Sequence, residues 1–337
     1  MPDLPAGAVA MIAAETLNPA LIRSLTAEFE RRGHMHAAQS AEFSTGSGTV
    51  QAARWAVSMA DYDDPSGSDW LGSLLETAAD QLDAATVTTT VVPAAQRPPL
   101  GVDAGATAPG REPSGVCPPA GPTPPAMLVM DVDSTLIDQE VIDLLAAHAG
   151  RQAEVAEVTE RAMRGELDFT ESLHARVATL GGLPESVLQE TFQKVTPTSG
   201  ARELISAWRR RSWPVYAVSG GFVQILAPLA AELGLTGFQA NTLELAEGQL
   251  TGRVTSDVVD RSVKQQRLLE WAQQHSVPVQ NVVAVGDGAN DLDMVRTAGM
   301  GVAFCAKPAL AEQADLVIRH RSMELISYAL GLAPDQD

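Results

Sequence analysis

The chain has 337 residues, of which 45% are apolar, so it is long enough for two domains with buried cores. Its formal charge is −19, which argues against nucleic acid or an anionic membrane as its main partner. No apolar run approaches the roughly 20 residues of a membrane span, and the first basic residue is Arg23, so no secretory signal is evident. We expect a globular cytoplasmic protein. The negative charge does not exclude a small-molecule substrate.

The first 92 residues alternate between strand-like and helix-like patterns. Asn18 and Pro19 are typical of a helix start, and a second amphipathic helix is predicted at about 69–82. The strand-like segments fall at 8–14, 34–43, 50–59 and 87–92. The order β-α-β-β-α-β predicts a ferredoxin-like α+β domain over 1–92, with two helices on one face of an antiparallel sheet.

This N-terminal module is similar to the ACT-type regulatory domains, which bind amino acids and pair across subunits. The resemblance implies an amino-acid effector at this module and a homodimer. The first strand-to-helix turn reads Glu15-Thr16-Leu17-Asn18 and lacks the glycine usual in that family. The missing glycine bears on whether the module binds an effector, and does not change the fold predicted for 1–92.

The interval 93–126 separates this module from the rest of the chain. It holds ten of the 21 prolines, together with Gly, Ala and few apolar anchors. Such a composition cannot bury enough apolar surface to offset the entropy of ordering it. We therefore predict a disordered linker at 93–126 and a catalytic domain at 127–337.

The stretch from Met127 to Glu140 reads MLVMDVDSTLIDQE, an apolar run that ends abruptly in polar residues. This pattern predicts a buried strand whose carboxyl end opens into a site. Asp131 and Asp133 would lie on one side of the extended chain, where their repulsion calls for a cation or a shared proton. A solvated strand end with acidic turn residues is the alternative that the spacing leaves open.

Two further features accompany this strand. Residues 141–195 are helical in composition and long for an insertion in a sheet, which predicts a cap over the site. A second apolar strand, 213–218, is followed by Ser219-Gly220-Gly221, where glycines let N–H groups approach an anion.

A third strand, 281–285, is followed by Gly286-Asp287-Gly288-Ala289-Asn290-Asp291. A dinucleotide-binding loop is excluded because Asp291 stands where the third glycine should be. Carboxylates at a strand end suit Mg²⁺ instead. Lys264 falls in the first turn of a predicted helix, where a cation opposes the helix dipole, so an anion nearby would explain it.

Taken in order, the motifs are Asp-x-Asp-x-Thr, Ser-Gly-Gly, Lys and Gly-Asp-Gly-x-Asn-Asp, and this set resembles the haloacid dehalogenase (HAD) superfamily of phosphohydrolases. Within it the chain is most similar to the phosphoserine phosphatase family. The residues that carry the closer match are Asp131 to Leu136, Glu140, Arg164-Gly165, Phe169, Arg176, Val218 to Phe222, Lys264 and Gly286 to Asp291. The resemblance implies an α/β, Rossmann-like parallel sheet with a helical cap at about 141–195, inserted after the first strand.

The resemblance also implies the chemistry. Asp131 attacks phosphorus to form an aspartyl phosphate, and Asp133 donates and later accepts the proton. Mg²⁺ is held by the carboxylates of Asp131 and Asp287 and by the backbone carbonyl of Asp133. Lys264 binds a phosphate oxygen, and Asp291 orients Lys264 or the waters of the metal.

Substrate binding follows from the same resemblance. Ser219 and the Gly220 N–H bind phosphate oxygens, and Asn290 reaches the phosphate or the substrate. Glu140 pairs with the ammonium of O-phospho-L-serine, while Arg176 holds its carboxylate in a bidentate fork. The expected reaction is hydrolysis of O-phospho-L-serine to L-serine and phosphate, the last step of serine biosynthesis. Two alternatives stay open: a phosphotransferase acting on an alcohol such as homoserine, and an amino-acid sensor with a vestigial phosphatase domain.

Overall fold

The computed structural model describes residues 8–31, 35–57, 67–80, 82, 87–92, 126–164 and 166–332. The linker predicted at 93–126 lies outside these residues except for Ala126, and Gly165 also lies outside them. The domain boundaries 1–92, 93–126 and 127–337 therefore stay predictions. In the part of the chain that is described, no helix combines the length and apolar composition needed to cross a membrane.

The N-terminal region forms a four-stranded antiparallel sheet in the order β2-β3-β1-β4. Its elements are β1 (Ala8–Ala14), α1 (Pro19–Arg31), β2 (Met35–Thr45), β3 (Gly48–Val57), α2 (Gly67–Ala79) and β4 (Thr88–Val92). The Asn18 side chain accepts a 2.8 Å hydrogen bond from the Ala20 N–H at the start of α1. The predicted α+β domain is confirmed, with helices packed on one face through Phe29, Trp55 and Leu75.

The opposite face of this sheet packs against the C-terminal end of the chain. Met11, Phe43 and Val50 join one apolar cluster with Tyr328 of α12 (Glu324–Ala329). The Phe43 and Tyr328 rings meet edge to face, with their centroids 5.1 Å apart. The N-terminal sheet is thus docked directly on the catalytic region, independently of the linker.

The catalytic region is a six-stranded parallel sheet in the order β12-β11-β10-β5-β6-β7. Its central strand, β5, is buried at every residue, as its unbroken apolar sequence predicts. The strands are β5 (Met127–Met130), β6 (Val215–Phe222), β7 (Gly237–Asn241), β10 (Val282–Gly286), β11 (Met300–Phe304) and β12 (Leu316–Ile318). Helices α7 (Ala201–Arg209), α8 (Val223–Leu233), α9 (Arg261–Gln274), α10 (Leu292–Thr297) and α11 (Pro308–Ala311) connect or flank them.

Two insertions lie above the carboxyl edge of this sheet. Between β5 and β6 come α3 (Val141–Ala149), α4 (Gln152–Met163), α5 (Phe169–Ala178) and α6 (Ser186–Phe192), in the interval predicted for the cap. A hairpin of β8 (Leu243–Ala246) and β9 (Gln249–Val254) forms the second insertion, which the sequence did not reveal. Its Gly252 Cα packs so close to Ala178 that a Cβ would lie 3.1 Å from the Ala178 carbonyl oxygen.

One predicted boundary is wrong. Ser219-Gly220-Gly221 was expected to follow the strand, but β6 continues through these residues to Phe222. Its pairing with β7 shifts register between Val218 and Phe222. The glycines allow this irregular extension, because side chains there would collide with the site: a Cβ on Gly221 would lie 2.7 Å from Asp133 Oδ2.

Candidate active site

The predicted site residues converge at the carboxyl ends of β5, β6 and β10, three neighbouring strands. Asp131 follows β5, Ser219 lies in the extended end of β6, and Asp287 follows β10. A cavity of about 430 Å³ separates this edge from the cap helices. The cavity is lined by Asp131, Asp133, Glu140, Arg176, Gly220, Asp287 and Asn290 among others.

The floor of the site is a buried lysine held between two aspartates. Lys264 Nζ lies 2.7 Å from Asp131 Oδ1 and 2.7 Å from Asp291 Oδ1. The lysine side chain is completely buried. Burial alone would lower the pKa of Lys264, but the two carboxylates outweigh it and raise that pKa above its ordinary value. The anion that the position of Lys264 suggested is therefore present in the protein itself.

Asp131 keeps one carboxylate oxygen available. Its Oδ1 accepts from Lys264 Nζ and from the Val132 N–H at 2.7 Å, whereas Oδ2 accepts no hydrogen bond from the described residues. Burial, followed by the charge of Asp291, raises the pKa of Asp131, and Lys264 opposes that shift. An unoccupied oxygen on a buried aspartate can act as a nucleophile once its charge is offset.

Asp133 lies beside it in a different environment. Its Oδ1 accepts from the Val141 N–H at 2.9 Å, and its Oδ2 accepts from the Ser219 hydroxyl at 3.1 Å. Burial and then the charge of Glu140 raise the pKa of Asp133 to about 6. A carboxyl group with a pKa near neutrality can both donate and accept a proton at physiological pH. The two aspartates of the motif are therefore chemically distinct.

Three carboxylates form a cluster suited to a cation. Oxygens of Asp131, Asp287 and Asp291 all lie within 4.8 Å of one another. Burial, and then the charges of Asp291 and Glu140, raise the pKa of Asp287 to about 6, and Thr135 and Lys307 offset that shift only in part. A divalent cation with oxygen ligands would supply the missing positive charge, so the residues fit a metal of the Mg²⁺ type.

Asp291 differs from the other two members of this cluster. Its Oδ1 accepts from Lys264 Nζ, and its Oδ2 accepts from the N–H groups of Asp287 and Gly288 at 3.2 and 3.1 Å. A Cβ on Gly286 would lie 2.4 Å from the Asp291 carboxyl carbon, so this packing requires a glycine. With both oxygens engaged, Asp291 organises the lysine and the loop.

The cavity wall opposite the floor carries two unlike charges. Arg176 lies on α5, where its Nε donates to the Ser172 carbonyl at 3.3 Å, and it makes no ion pair with the carboxylates of the described residues. Burial lowers the pKa of Arg176. Glu140, at the start of α3, accepts a 2.7 Å hydrogen bond from the Ser134 hydroxyl. The wall thus offers both a cation and an anion to one bound molecule.

The remaining predicted ligands are close to the floor. Ser219 is buried, and its hydroxyl accepts from the Gly221 N–H at 2.7 Å while donating to Asp133. Gly220 packs against Phe169, since a Cβ there would lie 3.0 Å from that ring. The side chain of Asn290 makes no hydrogen bond with the described residues. Their predicted contacts with a phosphate stay predictions.

Three supporting residues escaped the sequence reasoning. Thr135 Oγ1 donates to Asp287 Oδ1 at 3.2 Å, and the threonine of the first motif could have indicated it. Asn241 donates to the Gly220 carbonyl and accepts from the Val259 N–H, both at 2.8 Å. Lys307 lines the cavity, and its N–H donates to the Asp287 carbonyl. The last two lie on segments without any motif and are found only through the fold.

The parallel sheet, the helical cap and an acidic centre at the strand ends define a capped, Rossmann-like α/β domain with an acidic site. Residues 128–296 match the family model described as haloacid dehalogenase-like hydrolase. The chain belongs to the haloacid dehalogenase-like hydrolase family.

Relatives of known name extend this comparison. A phosphoserine phosphatase of Streptomyces coelicolor is 52% identical over 210 residues, which are 62% of this chain and 51% of that protein. The chain therefore spans about half the length of that curated relative. A probable phosphoserine phosphatase from Vibrio cholerae, solved without ligand, matches with a TM-score of 0.69 and 32% identity over 96% of this chain and 86% of the other. A phospho-aspartyl intermediate analogue of phosphoserine phosphatase matches with a TM-score of 0.58 and 39% identity, over 61% of this chain and 99% of the other.

Proposed function

We propose that the protein hydrolyses O-phospho-L-serine to L-serine and phosphate through an aspartyl phosphate on Asp131. The observation that carries this proposal is the composition of one cavity. Its floor holds an aspartate oxygen that accepts no hydrogen bond from the described residues, and its wall holds Arg176 and Glu140, which have opposite charges. A phosphate monoester that also carries an ammonium and a carboxylate group is complementary to all three.

The named relatives support the same reaction. The curated protein and the two solved structures compared above are phosphoserine phosphatases by name, and one of them represents a phospho-aspartyl intermediate. Family and geometry therefore both support the proposed nucleophile and substrate class.

In the first step, Asp131 Oδ2 attacks phosphorus while the bond from phosphorus to the serine oxygen breaks. Asp133 gives its proton to that oxygen, so serine leaves as a neutral alcohol rather than an alkoxide. The pKa of about 6 for Asp133 keeps a protonated fraction available near neutral pH. The products of this step are free serine, aspartyl phosphate and a deprotonated Asp133.

In the second step, a water molecule attacks the phosphorus of the aspartyl phosphate. Asp133, now a carboxylate, takes a proton from that water, and the bond between phosphorus and Asp131 breaks. Phosphate leaves and both aspartates return to their starting states. One carboxyl group thus serves as acid and then as base.

The phosphate oxygens need positive partners throughout both steps. Lys264, Ser219 and the Gly220 N–H lie around the floor and are proposed to bind them, with Asn290 reaching the phosphate or the substrate. Asp291 holds Lys264 in place through their 2.7 Å contact. This arrangement stabilises the charge that develops as the phosphoryl group is transferred.

The acidic cluster is proposed to hold Mg²⁺ through the carboxylates of Asp131 and Asp287 and the backbone carbonyl of Asp133. When bound, Mg²⁺ neutralises phosphate charge that would otherwise repel the attacking aspartate. The distribution of hydrogen bonds supports this assignment, because both oxygens of Asp291 already accept from protein donors.

Selection among phosphate monoesters is proposed to rest on the cavity wall. Arg176, which lacks an ion pair with the described carboxylates, would bind the substrate carboxylate in a bidentate fork. Glu140 would bind the ammonium group. A monoester without these two groups would gain only the phosphate contacts.

The test is phosphate release from O-phospho-L-serine, with and without Mg²⁺, by the wild type and by Asp131→Asn. Metal-dependent turnover that the substitution abolishes would support the proposal, whereas undiminished turnover in Asp131→Asn would overturn the mechanism. Added homoserine tests for phosphotransfer, since a phosphotransferase would form phosphohomoserine at the expense of free phosphate. An inactive wild type that binds serine would favour the amino-acid sensor.

Three wider expectations stay predictions and are proposed with the function. They are an amino-acid effector at the N-terminal module, a homodimer formed through that module, and location in the cytoplasm. The ferredoxin-like strand order supports the first two, because a sheet of this kind is what the ACT resemblance implies.

A further inference from the structure

Arg321 connects the C-terminal end of β12 to the turn that follows the catalytic aspartates. Its Nε donates to Asp138 Oδ1 at 2.6 Å. Its two other nitrogens donate to the backbone carbonyls of Ser134, at 3.1 Å, and Ile137, at 3.0 Å. One guanidinium therefore fixes both ends of the segment 134–138.

This segment leads directly to Glu140. Ser134 has a φ of +55°, in the left-handed region that serine rarely adopts. In that conformation its hydroxyl donates to Glu140 Oε1 at 2.7 Å, and its N–H donates to the Gln139 carbonyl at 3.2 Å. The orientation of the Glu140 carboxylate thus depends on a strained turn that Arg321 holds.

Arg321 is itself placed by contacts with the N-terminal sheet. The N–H of Arg319 donates to Thr88 Oγ1 at 2.9 Å, and His320 Nε2 lies 3.2 Å from the Ala13 carbonyl. Arg321 also lines a cleft of about 540 Å³ between the two regions, together with Thr45 and Thr49 of the β2–β3 hairpin. The two residues before Arg321 are therefore anchored on the N-terminal domain.

We propose that Arg321 is a positioning residue for substrate selection and that the docked N-terminal domain sets its position. It acts through the Ser134 turn on Glu140 and does not itself contact the substrate. The proposal rests on the proposed function, since it assigns Glu140 to the substrate ammonium. It gives the N-terminal domain a mechanical route to the active site that does not require the linker.

A simple surface ion pair with Asp138 would not explain the geometry. The Arg321 and Asp138 side chains are 29% and 33% exposed, and such pairs contribute little to stability. Of the other hydrogen bonds of Arg321, two end on backbone carbonyls of the turn, and a longer one of 3.5 Å ends on Thr198 Oγ1. Arginine can serve three acceptors at once because its donors are spread over a planar fork, which a lysine cannot reproduce.

The first experiment compares steady-state kinetics on O-phospho-L-serine and on p-nitrophenyl phosphate, which has no ammonium group. For Arg321→Ala we expect the KM for phosphoserine to rise about 5- to 20-fold, with kcat and the KM for p-nitrophenyl phosphate changing less than about 3-fold. Arg321→Lys should lie between the alanine variant and the wild type. Arg319→Ala, whose side chain is exposed two residues away, is the matched control and should behave as the wild type.

A double-mutant cycle isolates the route through Glu140. In a Glu140→Gln background, Arg321→Ala should add less than about a 2-fold change in KM, because the group it positions is already altered. Full additivity of the two effects would overturn the proposal. So would an equal rise in KM for both substrates, or an effect of Arg319→Ala as large as that of Arg321→Ala.

Hydrogen exchange gives a readout that does not depend on the substrate. In Arg321→Ala, the amides of Ser134, Ile137 and Asp138 should exchange faster, because their hydrogen bonds lie in the released turn. Thr88→Val, which removes the anchor of Arg319, should produce a smaller change in the same amides. Unchanged exchange in Arg321→Ala would overturn the positioning role, and unchanged exchange in Thr88→Val would overturn the role of the N-terminal domain. A wild type inactive on phosphoserine, with these exchange changes present, would refute the proposed function alone.

Discussion

Arg54 and Lys264 are both completely buried cations, yet they serve opposite purposes. Four hydrogen bonds of Arg54 end on neutral oxygens: the Gln39 side chain, twice, and the carbonyls of Tyr328 and Leu332. The guanidinium also lies 4.1 Å from the centre of the Tyr328 ring. Lys264 instead contacts two carboxylates at 2.7 Å.

The difference between their partners separates a structural charge from a reactive one. The hydrogen bonds from Arg54 to the carbonyls of Tyr328 and Leu332 tie the N-terminal sheet to the end of the chain. Around Lys264, by contrast, the pKa values of Asp131 and of the lysine itself are raised, and Asp131 Oδ2 accepts no hydrogen bond from the described residues. We expect substitutions at Lys264 to affect turnover and those at Arg54 to affect stability.

The largest expected effect is on turnover in Lys264→Met. Removing the ammonium takes a positive partner from the phosphate and from Asp131, so kcat should fall by about 10²- to 10³-fold. Initial rates of phosphate release measure this, with circular dichroism confirming that the variant is folded. Arg267→Ala removes a partly exposed cation from the same helix and is the charge-matched control. Equal losses in both variants would contradict the special role of the buried lysine.

The next effect is on folding in Arg54→Met. This change removes the buried Arg54 donor from the Leu332 carbonyl and from the Tyr328 carbonyl, which keeps its bond from the Gly331 N–H. The loss should lower the free energy of unfolding by about 2–4 kcal/mol. Urea denaturation measures the loss, and kcat of the folded fraction should stay within a factor of a few. Arg31→Met, at an arginine that is 67% exposed, should leave the urea midpoint unchanged. An Arg54→Met variant that is folded but inactive would contradict the assignment of Arg54 to stability alone.

The two cations also differ in how far sequence could reveal them. Lys264 belongs to an ordered set of motifs, and its place in the first turn of a helix already called for an anion. Arg54 lies in a strand of alternating pattern, which suggests a solvent-facing side chain. Its partner Tyr328 is 274 positions away, and α12 packs on the sheet face that contains Arg54. Local periodicity carries no information on such long-range packing.

The same limit explains what was missed at the site. The sequence predicted the strand ends and most of the polar residues that meet there, since each follows an apolar run. It did not predict the β8–β9 hairpin or Arg321, because no motif marks them. It also placed Ser219 beyond the end of β6, because glycines usually end a strand and the irregular pairing with β7 cannot be read locally.

A smaller effect concerns selectivity. Arg176→Ala should raise the KM for O-phospho-L-serine by about 10- to 100-fold and the KM for p-nitrophenyl phosphate far less, because only the first substrate offers a carboxylate. Parallel kinetics on the two substrates measure the ratio. An equal rise for both would show that Arg176 does not recognise the carboxylate. Arg164→Ala, an exposed arginine of the cap, is the control.

The smallest effect is on the pH dependence of thermal stability, through His320, which contacts the N-terminal sheet. Burial lowers the pKa of His320 from its ordinary 6.5, against the opposing influence of the Ala13 carbonyl and Glu15. His320 therefore binds a proton more readily in the unfolded chain than in the folded protein. Its contribution to stability is complete above pH 6.5 and declines as the pH falls below that value. Melting temperatures at pH 7.5 and 5.5 should differ more for the wild type than for His320→Gln. The same difference in both proteins would exclude a contribution from His320.

The central claim is that the carboxylate of Asp131, whose Oδ2 has no donor in the described protein, becomes phosphorylated during turnover. Acid quenching of the enzyme with O-phospho-L-serine and Mg²⁺, followed by mass spectrometry of its peptides, tests this directly. We predict a phosphoryl group on Asp131 in the wild type and none in Asp131→Asn. A phosphoryl group on another residue, or turnover without any phosphorylated enzyme, would contradict the account.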